Sequence, residues 1–310
     1  MIAILGAGAF GSALALAIES EIRLWGRGLQ PGAKTAPRLL GYDLPDRISV
    51  VAAPDKALAG ADLVLLAVPM AALDGMAAGL NADPDLPLIA CSKGIEPGTG
   101  RGPSAVLNAH HAGPVGVLTG PSFASEIAAG RPTALTLAME DVARAEAAQR
   151  LLSGKTLRIY RSDDVKGAEL GGALKNVLAI AAGAVLGAGL GQSAQAALLN
   201  RGFSEIQALA AQEGARPETL AGLSGLGDLM LTAFSETSRN YRYGLALGRG
   251  ERFSEDVTVE GVATAQAVAE LGARRGLDLP VLSATHLLIA GDLTISEAVE
   301  ALMSRPLREE

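Results

Sequence analysis

The sequence predicts an α/β protein: an N-terminal doubly wound sheet of parallel strands, then an all-helical C-terminal domain. Three observations carry this expectation. Short apolar runs alternate with amphipathic stretches through the first half of the chain. A glycine-rich turn joins the first run to the first helical stretch. After Tyr160 the strand signal stops, and long Ala/Leu-rich helical patterns run to the end.

The elements follow in order. Ile2-Ala3-Ile4-Leu5, Ile22-Arg23-Leu24-Trp25, residues 63–68, residues 86–90 and Val115-Gly116-Val117-Leu118 read as buried parallel strands, because both faces of such a strand are covered. Helical stretches follow at about 9–19, 70–80, 103–111 and 122–128, which makes βαβ units with right-handed crossovers. A further strand pair, around 133–137 and 157–160, flanks a helix at about 141–153. Gly-rich turns at 222–227 and 248–250 punctuate the helical half. The switch near Arg161–Val165 divides the expected domains, 1–163 and 164–310, with a cleft between them.

Composition narrows the function. The 310 residues include 58 alanines and 38 glycines but only 3% aromatics, so the core must be built from small and aliphatic side chains. There is no Gly-X-Y period, and Leu, Ile and Val are spread throughout, which excludes collagen-like and disordered chains. A net charge of −7 without any Lys/Arg run argues against a nucleic-acid partner, yet a few local cations suffice for a small acidic substrate. The lone Cys91 fits a reducing compartment. Cys91 with His110, His111 and His286 cannot supply a structural zinc site, and no metal is expected. His110-His111 read as a surface turn. The uncharged stretch 1–18 is near the lower limit for a membrane span but has nothing basic before it and is interrupted by three glycines, and 177–191 is short for a span, so no integral membrane segment and a cytoplasmic location are expected.

Gly6-Ala7-Gly8-Ala9-Phe10-Gly11 has the G-x-G-x-x-G spacing between a strand and a helix. The first glycine permits the tight turn, the second lets backbone approach a pyrophosphate, and the third lets the helix pack on its strand. In this context the pattern predicts a Rossmann-like dinucleotide site rather than a merely structural turn. At the end of the second strand stand Trp25-Gly26-Arg27, with no acid until Asp43. Arg27 therefore favours NADP over NAD, unless it is simply a solvated loop residue.

Three cationic positions stand out. Lys93 follows the strand at 86–91, at the carboxyl end where doubly wound sheets bind ligands. Lys175, beside Asn176, opens the long uncharged helix; such a lysine either snorkels as a cap or faces a polar cavity. Burial beside another cation would lower its pKa toward the range useful for proton transfer. Ser238-Arg239-Asn240 could hold a phosphate or merely begin a surface helix. Gly120-Pro121-Ser122-Phe123-Ala124 follows a strand and opens another helix, a second N-terminus suited to an anion. No G-x-S-x-G elbow or serine–histidine motif exists, so acyl transfer is unsupported.

Taken together and in order, these motifs, with Lys93-Gly94-Ile95-Glu96, Gly225-Leu226-Gly227-Asp228-Leu229 and Val259-Glu260-Gly261, closely resemble bacterial-type NAD(P)-dependent glycerol-3-phosphate dehydrogenase over residues 2 to about 305. The resemblance implies reversible hydride transfer between NAD(P)H and dihydroxyacetone phosphate, giving sn-glycerol 3-phosphate for phospholipid synthesis. It implies that Lys175 is the general acid/base, that Lys93 contacts substrate and neutralises the oxyanion, and that Asp228 orients and polarises Lys175. Asn176, Thr232, Ser238, Arg239 and Asn240 would hold the phosphate and hydroxyl, with Gly120 and Ser122 lining the pocket. Gly6, Gly8, Ala9, Phe10, Gly11, Arg27, Lys93, Ala124, Arg239, Val259 and Glu260 fall at cofactor-contact positions. The second domain would be all-helical and form a homodimer. Ala9 stands where the family often has serine, and the stretch from Gly28 to Arg47 is shorter than the family's pattern. Two other readings share these residues: a β-hydroxyacid or ketopantoate-type reductase acting on a carboxylate, and a non-catalytic NADPH-binding protein.

Overall fold

Eight strands make one sheet: β1 (Ile2–Leu5), β2 (Ile22–Trp25), β3 (Ile48–Val50), β4 (Leu63–Leu66), β5 (Leu88–Ala90), β6 (Val115–Thr119), β7 (Thr133–Met139) and β8 (Leu157–Ser162). The structure is a computed structural model and describes residues 1–36, 38–39 and 41–306. The last four residues of the expected helical half lie outside that range. Strand order is β3-β2-β1-β4-β5-β6-β7-β8, parallel throughout except between β6 and β7. The 3-2-1-4-5-6 part is the order of dinucleotide-binding doubly wound sheets.

Alternation sorts the strand residues between two cores. Ile2 and Ile4 pack on one face with Leu24, Leu65 and Ile89. Ala3 and Leu5 pack on the other with Val64, Leu66 and Ala90. Every residue of β1 and β4 is buried, as central strands covered on both faces require. On the flanks of this sheet lie α1 (Ala9–Ala17), α2 (Pro54–Leu58), α3 (Met70–Ala78), α4 (Pro103–Asn108), α5 (Ala124–Ala128) and α6 (Val142–Leu152).

Three features differ from expectation. β3 and α2 carry only three and five residues, too few for a periodic signal, and the sequence reading contains neither. The helix expected from residue 122 begins at Ala124 and has five residues. At about 1.5 Å per residue it is shorter than the five-residue β6, so it cannot carry the chain back along the strand, and β7 returns antiparallel. His111 is buried, with Nε2 at 3.0 Å from the Leu86 carbonyl, whereas its neighbour His110 is exposed.

Beyond β8 the described chain is helical: α7 (Val165–Gly187), α8 (Gln192–Gln212), α9 (Pro217–Ala221), a π turn (Leu223–Gly227), α10 (Asp228–Ala233), α11 (Arg239–Arg249), α12 (Glu260–Arg275), α13 (Pro280–Ala290) and α14 (Ile295–Met303). The 23-residue α7 is long and apolar enough to cross a membrane, but it is buried inside the protein along most of its length. Its closest partner is α11, and glycine makes the approach possible. A Cβ at Gly183 would lie 2.2 Å from the Tyr241 carbonyl, and one at Gly244 2.0 Å from the Ile180 carbonyl. Gly187 and Gly248 repeat this one turn later, so each helix presents a small-xxx-small stripe to the other. Four of the 19 glycines in residues 164–310 are thereby explained.

Candidate active site

The site forms where the carboxyl ends of β1, β5 and β6 face α7, α10 and α11. β5 runs into Cys91, Ser92 and Lys93, and Lys93 is fixed from both sides. The next residues leave the sheet: Ile95 inserts into the helical core with Leu174 and Leu178, while Gly98 is held by α12. Gly98 N–H donates to Glu270 Oε2 at 2.9 Å, and Arg274 Nη1 donates to the Gly98 carbonyl at 2.8 Å.

Lys175 lies in the third turn of α7, not at its start as the sequence suggests, because the helix begins ten residues earlier at Val165 with Asp164 as N-cap. It is therefore buried (7% exposed) and cannot snorkel. The π turn delivers Asp228 (1% exposed) to the amino end of α10, between the two lysines. Lys175 Nζ donates to Asp228 Oδ1 at 2.8 Å and to Thr232 Oγ1 at 2.6 Å. Lys93 Nζ donates to Asp228 Oδ2 at 2.6 Å and to the Gly120 carbonyl at 3.1 Å. One carboxylate thus joins two ammonium groups that belong to different halves of the chain.

The charges respond to this arrangement. Burial pushes the Lys175 ammonium down to about 8; Asp228 opposes that fall, Lys93 adds to it, and Glu260 gives a weaker upward pull. Burial alone would raise Asp228, but the two lysines outweigh it and hold the carboxyl below the usual carboxylate range. The result is a lysine close to balance between its charged and neutral forms at mildly alkaline pH, locked in orientation by an ionised carboxylate. Such a group can give or take a proton.

A second cluster adjoins the first. Asn176 follows Lys175 on α7, and Asn240 lies at the start of α11; Asn240 Nδ2 donates to Asn176 Oδ1 at 2.9 Å, and Gly261 N–H donates to Asn240 Oδ1 at 2.9 Å. Asn240 is buried, so it is no surface helix start, whereas Arg239 beside it is exposed. Ser238 caps α11, accepting from Tyr241 N–H. Ser122 Oγ donates to the Gly120 carbonyl at 3.1 Å.

On the dinucleotide side, Gly6 has φ +121, and a Cβ there would lie 2.3 Å from the Ala67 carbonyl. No side chain caps α1 at Gly8, and a Cβ on Gly8 would meet nothing within 4 Å. Uncapped amides at the start of a nine-residue helix, beside open space, fit a pyrophosphate. Ala9, Phe10 and Gly11 form the first turn of α1. Ala124 opens α5, which packs on α1. Val259 and Glu260 stand at the start of α12. Arg27 is exposed just past β2.

The sequence reading missed what positions these groups. Thr119, at the end of β6, is 3% exposed, and its hydroxyl has no hydrogen-bond partner among the described residues. It lies against Gly172, while Gly171 admits the Ser224 carbonyl and Gly225 of the π turn. A glycine doublet inside a helical pattern is the available signal, since glycine there costs about 1 kcal/mol and needs a packing reason.

Comparison with known proteins places the chain in a family. The sequence models of the NAD-dependent glycerol-3-phosphate dehydrogenase N-terminus and C-terminus match residues 1–145 and 164–300. The chain is 54% identical to an NAD(P)+ glycerol-3-phosphate dehydrogenase of Cereibacter sphaeroides and 52% identical to one of Paracoccus denitrificans, covering all of this chain and 100% and 99% of those proteins. Among solved structures it is similar to glycerol-3-phosphate dehydrogenase from Coxiella burnetii, with a TM-score of 0.91 at 33% identity, covering 98% of each chain.

Proposed function

The chain belongs to the NAD-dependent glycerol-3-phosphate dehydrogenase family, and from that premise we infer that it interconverts dihydroxyacetone phosphate and sn-glycerol 3-phosphate with NADH or NADPH. The observation that carries the reading is the buried Asp228 carboxylate shared by Lys93 and Lys175, at the same edge of the sheet as the glycine turn. A carboxylate-selective reductase and a non-catalytic binder are less well supported, since relatives at about half identity over the full length carry the dehydrogenase name.

When bound, the reduced nicotinamide supplies hydride to the carbonyl carbon. Lys175 gives its proton to the carbonyl oxygen as that charge develops, and in the reverse direction the neutral amine takes the hydroxyl proton. Asp228 and Thr232 hold the ammonium in line. Lys93 stabilises the developing oxyanion, with the Gly120 carbonyl fixing the lysine. Ser238 and Arg239 hold the phosphate, with Asn176 and Asn240 beside them and Ser122 lining the pocket. Gly6, Gly8, Ala9, Phe10 and Gly11 would hold the cofactor's pyrophosphate end, with Lys93, Ala124, Arg239, Val259 and Glu260 as further contacts. Arg27 would lie toward the adenosine ribose and would favour the 2′-phosphate of NADP.

Residues 1–163 form the Rossmann-like NAD(P)-binding domain and 164–310 the helical substrate domain in this proposal. A homodimer supplying glycerol 3-phosphate for phospholipid synthesis in the cytoplasm completes it, in keeping with the family resemblance and the single, buried Cys91. The test is steady-state turnover of dihydroxyacetone phosphate with NADH and NADPH in parallel. Activity with at least one is expected; no activity with either, alongside reduction of a keto acid, would overturn the assignment.

A further inference from the structure

The chain between Lys93 and α4 leaves the sheet, and the helical half holds it at three points. Ile95 is buried in the helical core with Leu174 and Leu178. Gly98, at φ +78, is held by both of its backbone groups. Its N–H donates to Glu270 Oε2 at 2.9 Å, and its carbonyl accepts from Arg274 Nη1 at 2.8 Å. Glu270 and Arg274 lie one turn apart on α12, so one helix face supplies both an acceptor and a donor. At the far end Ser104 N–H donates to Glu169 Oε1 of α7, which supplies the cap that Gly102 cannot give α4. A Cβ on Gly102 would lie 2.8 Å from Glu169 Oε2, so the carboxylate reaches α4 only over a glycine. The partly exposed Arg101–Asp74 ion pair, at 3.3 Å, ties the same loop back to α3.

Lys93 depends on this support. Its side chain is a flexible four-carbon stem, and Gly94 beside it, at φ +140, adds a permissive backbone joint. Its ammonium nevertheless meets Asp228, on the opposite half of the chain, at 2.6 Å. We propose that Glu270 and Arg274 are positioning residues: their hold on Gly98 ties the Lys93 loop to α12, which keeps the Lys93 ammonium in register with Asp228 and Lys175. The loop therefore travels with the helical half rather than with the sheet that it extends. The consequence for turnover rests on the dehydrogenase reading of the site.

The double variant Glu270→Ala/Arg274→Ala is expected to lower kcat for dihydroxyacetone phosphate about five- to tenfold. The dissociation constant of NADPH should change less than about threefold, and Tm should fall by less than about 5 °C. Glu270→Gln keeps an acceptor for the Gly98 N–H and is expected to retain about half of the wild-type kcat or more. Asp74→Ala frees the same loop from α3 and is expected to keep kcat within about twofold of wild type. A loss in Asp74→Ala equal to that in the double variant would overturn the proposal, because loop order in general would then matter. So would full activity in the double variant. A second readout needs no turnover. Burial, with Lys93 adding to it, pushes the Lys175 ammonium down to about 8, against the pull of Asp228 and Glu260. Once Lys93 drifts from Asp228, that inflection should rise by about half a unit or more, read from the Lys175 13Cε shift in the ligand-free double variant. An inflection that stays at its wild-type value would overturn the proposal whether or not the protein reduces triose phosphate. A raised inflection with no turnover in the wild type would instead count against the dehydrogenase reading alone.

Discussion

Replacing Asp228 with Asn removes the one negative charge between two lysines and keeps the shape of the side chain. Lys175 sits at about 8 with that carboxylate 2.8 Å away. Two unit charges about 4 Å apart interact by about 4 kcal/mol at an effective dielectric constant of about 20, and one pKa unit is about 1.36 kcal/mol. Loss of the charge should therefore lower Lys175 by about one to three units. With Lys175 as the proposed general acid/base, reduction needs the ammonium and oxidation the neutral amine. In the wild type, kcat/KM for reduction should be flat below about pH 8 and fall tenfold per unit above it, with the oxidation profile its mirror image. In Asp228→Asn both inflections should move to about pH 7 or lower. At pH 7.5 the protonated fraction then drops from about three quarters to about one quarter or less, and lost orientation lowers the rate further. The assay is reduced-nicotinamide absorbance across about pH 6 to 10, with the second phosphate pKa of about 6 at the acid end common to wild type and variant. Circular dichroism melts show whether the variant is folded, since breaking a buried pair from one side costs about 3–5 kcal/mol unless Lys175 sheds its proton. An inflection that stays in place or moves up would refute the assignment of Lys175 as the titrating group.

Three further outcomes are expected. Lys175→Ala should leave NADPH binding, read by fluorescence titration, nearly intact while lowering turnover by about 10² to 10⁴, the range of a lost general acid; equal loss of both would refute its role. Gly8→Ala and Gly11→Ala should separate function from folding. A Cβ on Gly8 meets nothing in the protein, so that variant should melt normally yet bind NADPH poorly, whereas a Cβ on Gly11 would lie 2.0 Å from the Gly6 carbonyl and should lower the melting temperature. Arg27→Ala should raise the dissociation constant for NADPH about tenfold or more and leave that for NADH unchanged; parallel shifts would remove Arg27 from the 2′-phosphate.

Much of the fold was legible because its signals are local. Five apolar runs set the parallel strands, and Gly6, Gly8 and Gly11 marked the first turn by spacing alone. β3 escaped because Ile48, Ser49 and Val50 are too few to show a period. The reversal at β7 escaped because strand direction depends on how the chain crosses from β6 to β7, which no local residue pattern reports. Lys93, Lys175 and Arg239 drew attention as cations in a neutral background, but burial separates Lys175 from the exposed Arg239 and no composition reports it.

The sequence by itself determined the class of the protein: a glycine turn for a dinucleotide, a strand-rich first half, a small-residue helical second half and an ordered set of motifs that identifies the family. Tertiary structure alone decided how the groups of the site meet. Asp228 lies 135 residues from Lys93 and 53 from Lys175, and only the packing of the π turn against Gly171 brings the three together. The lowered pKa of Lys175 and the two-sided hold on Lys93 have the same origin. Both arise from removing water and supplying partners from distant segments, and neither burial nor a partner is a property of the residue that experiences it.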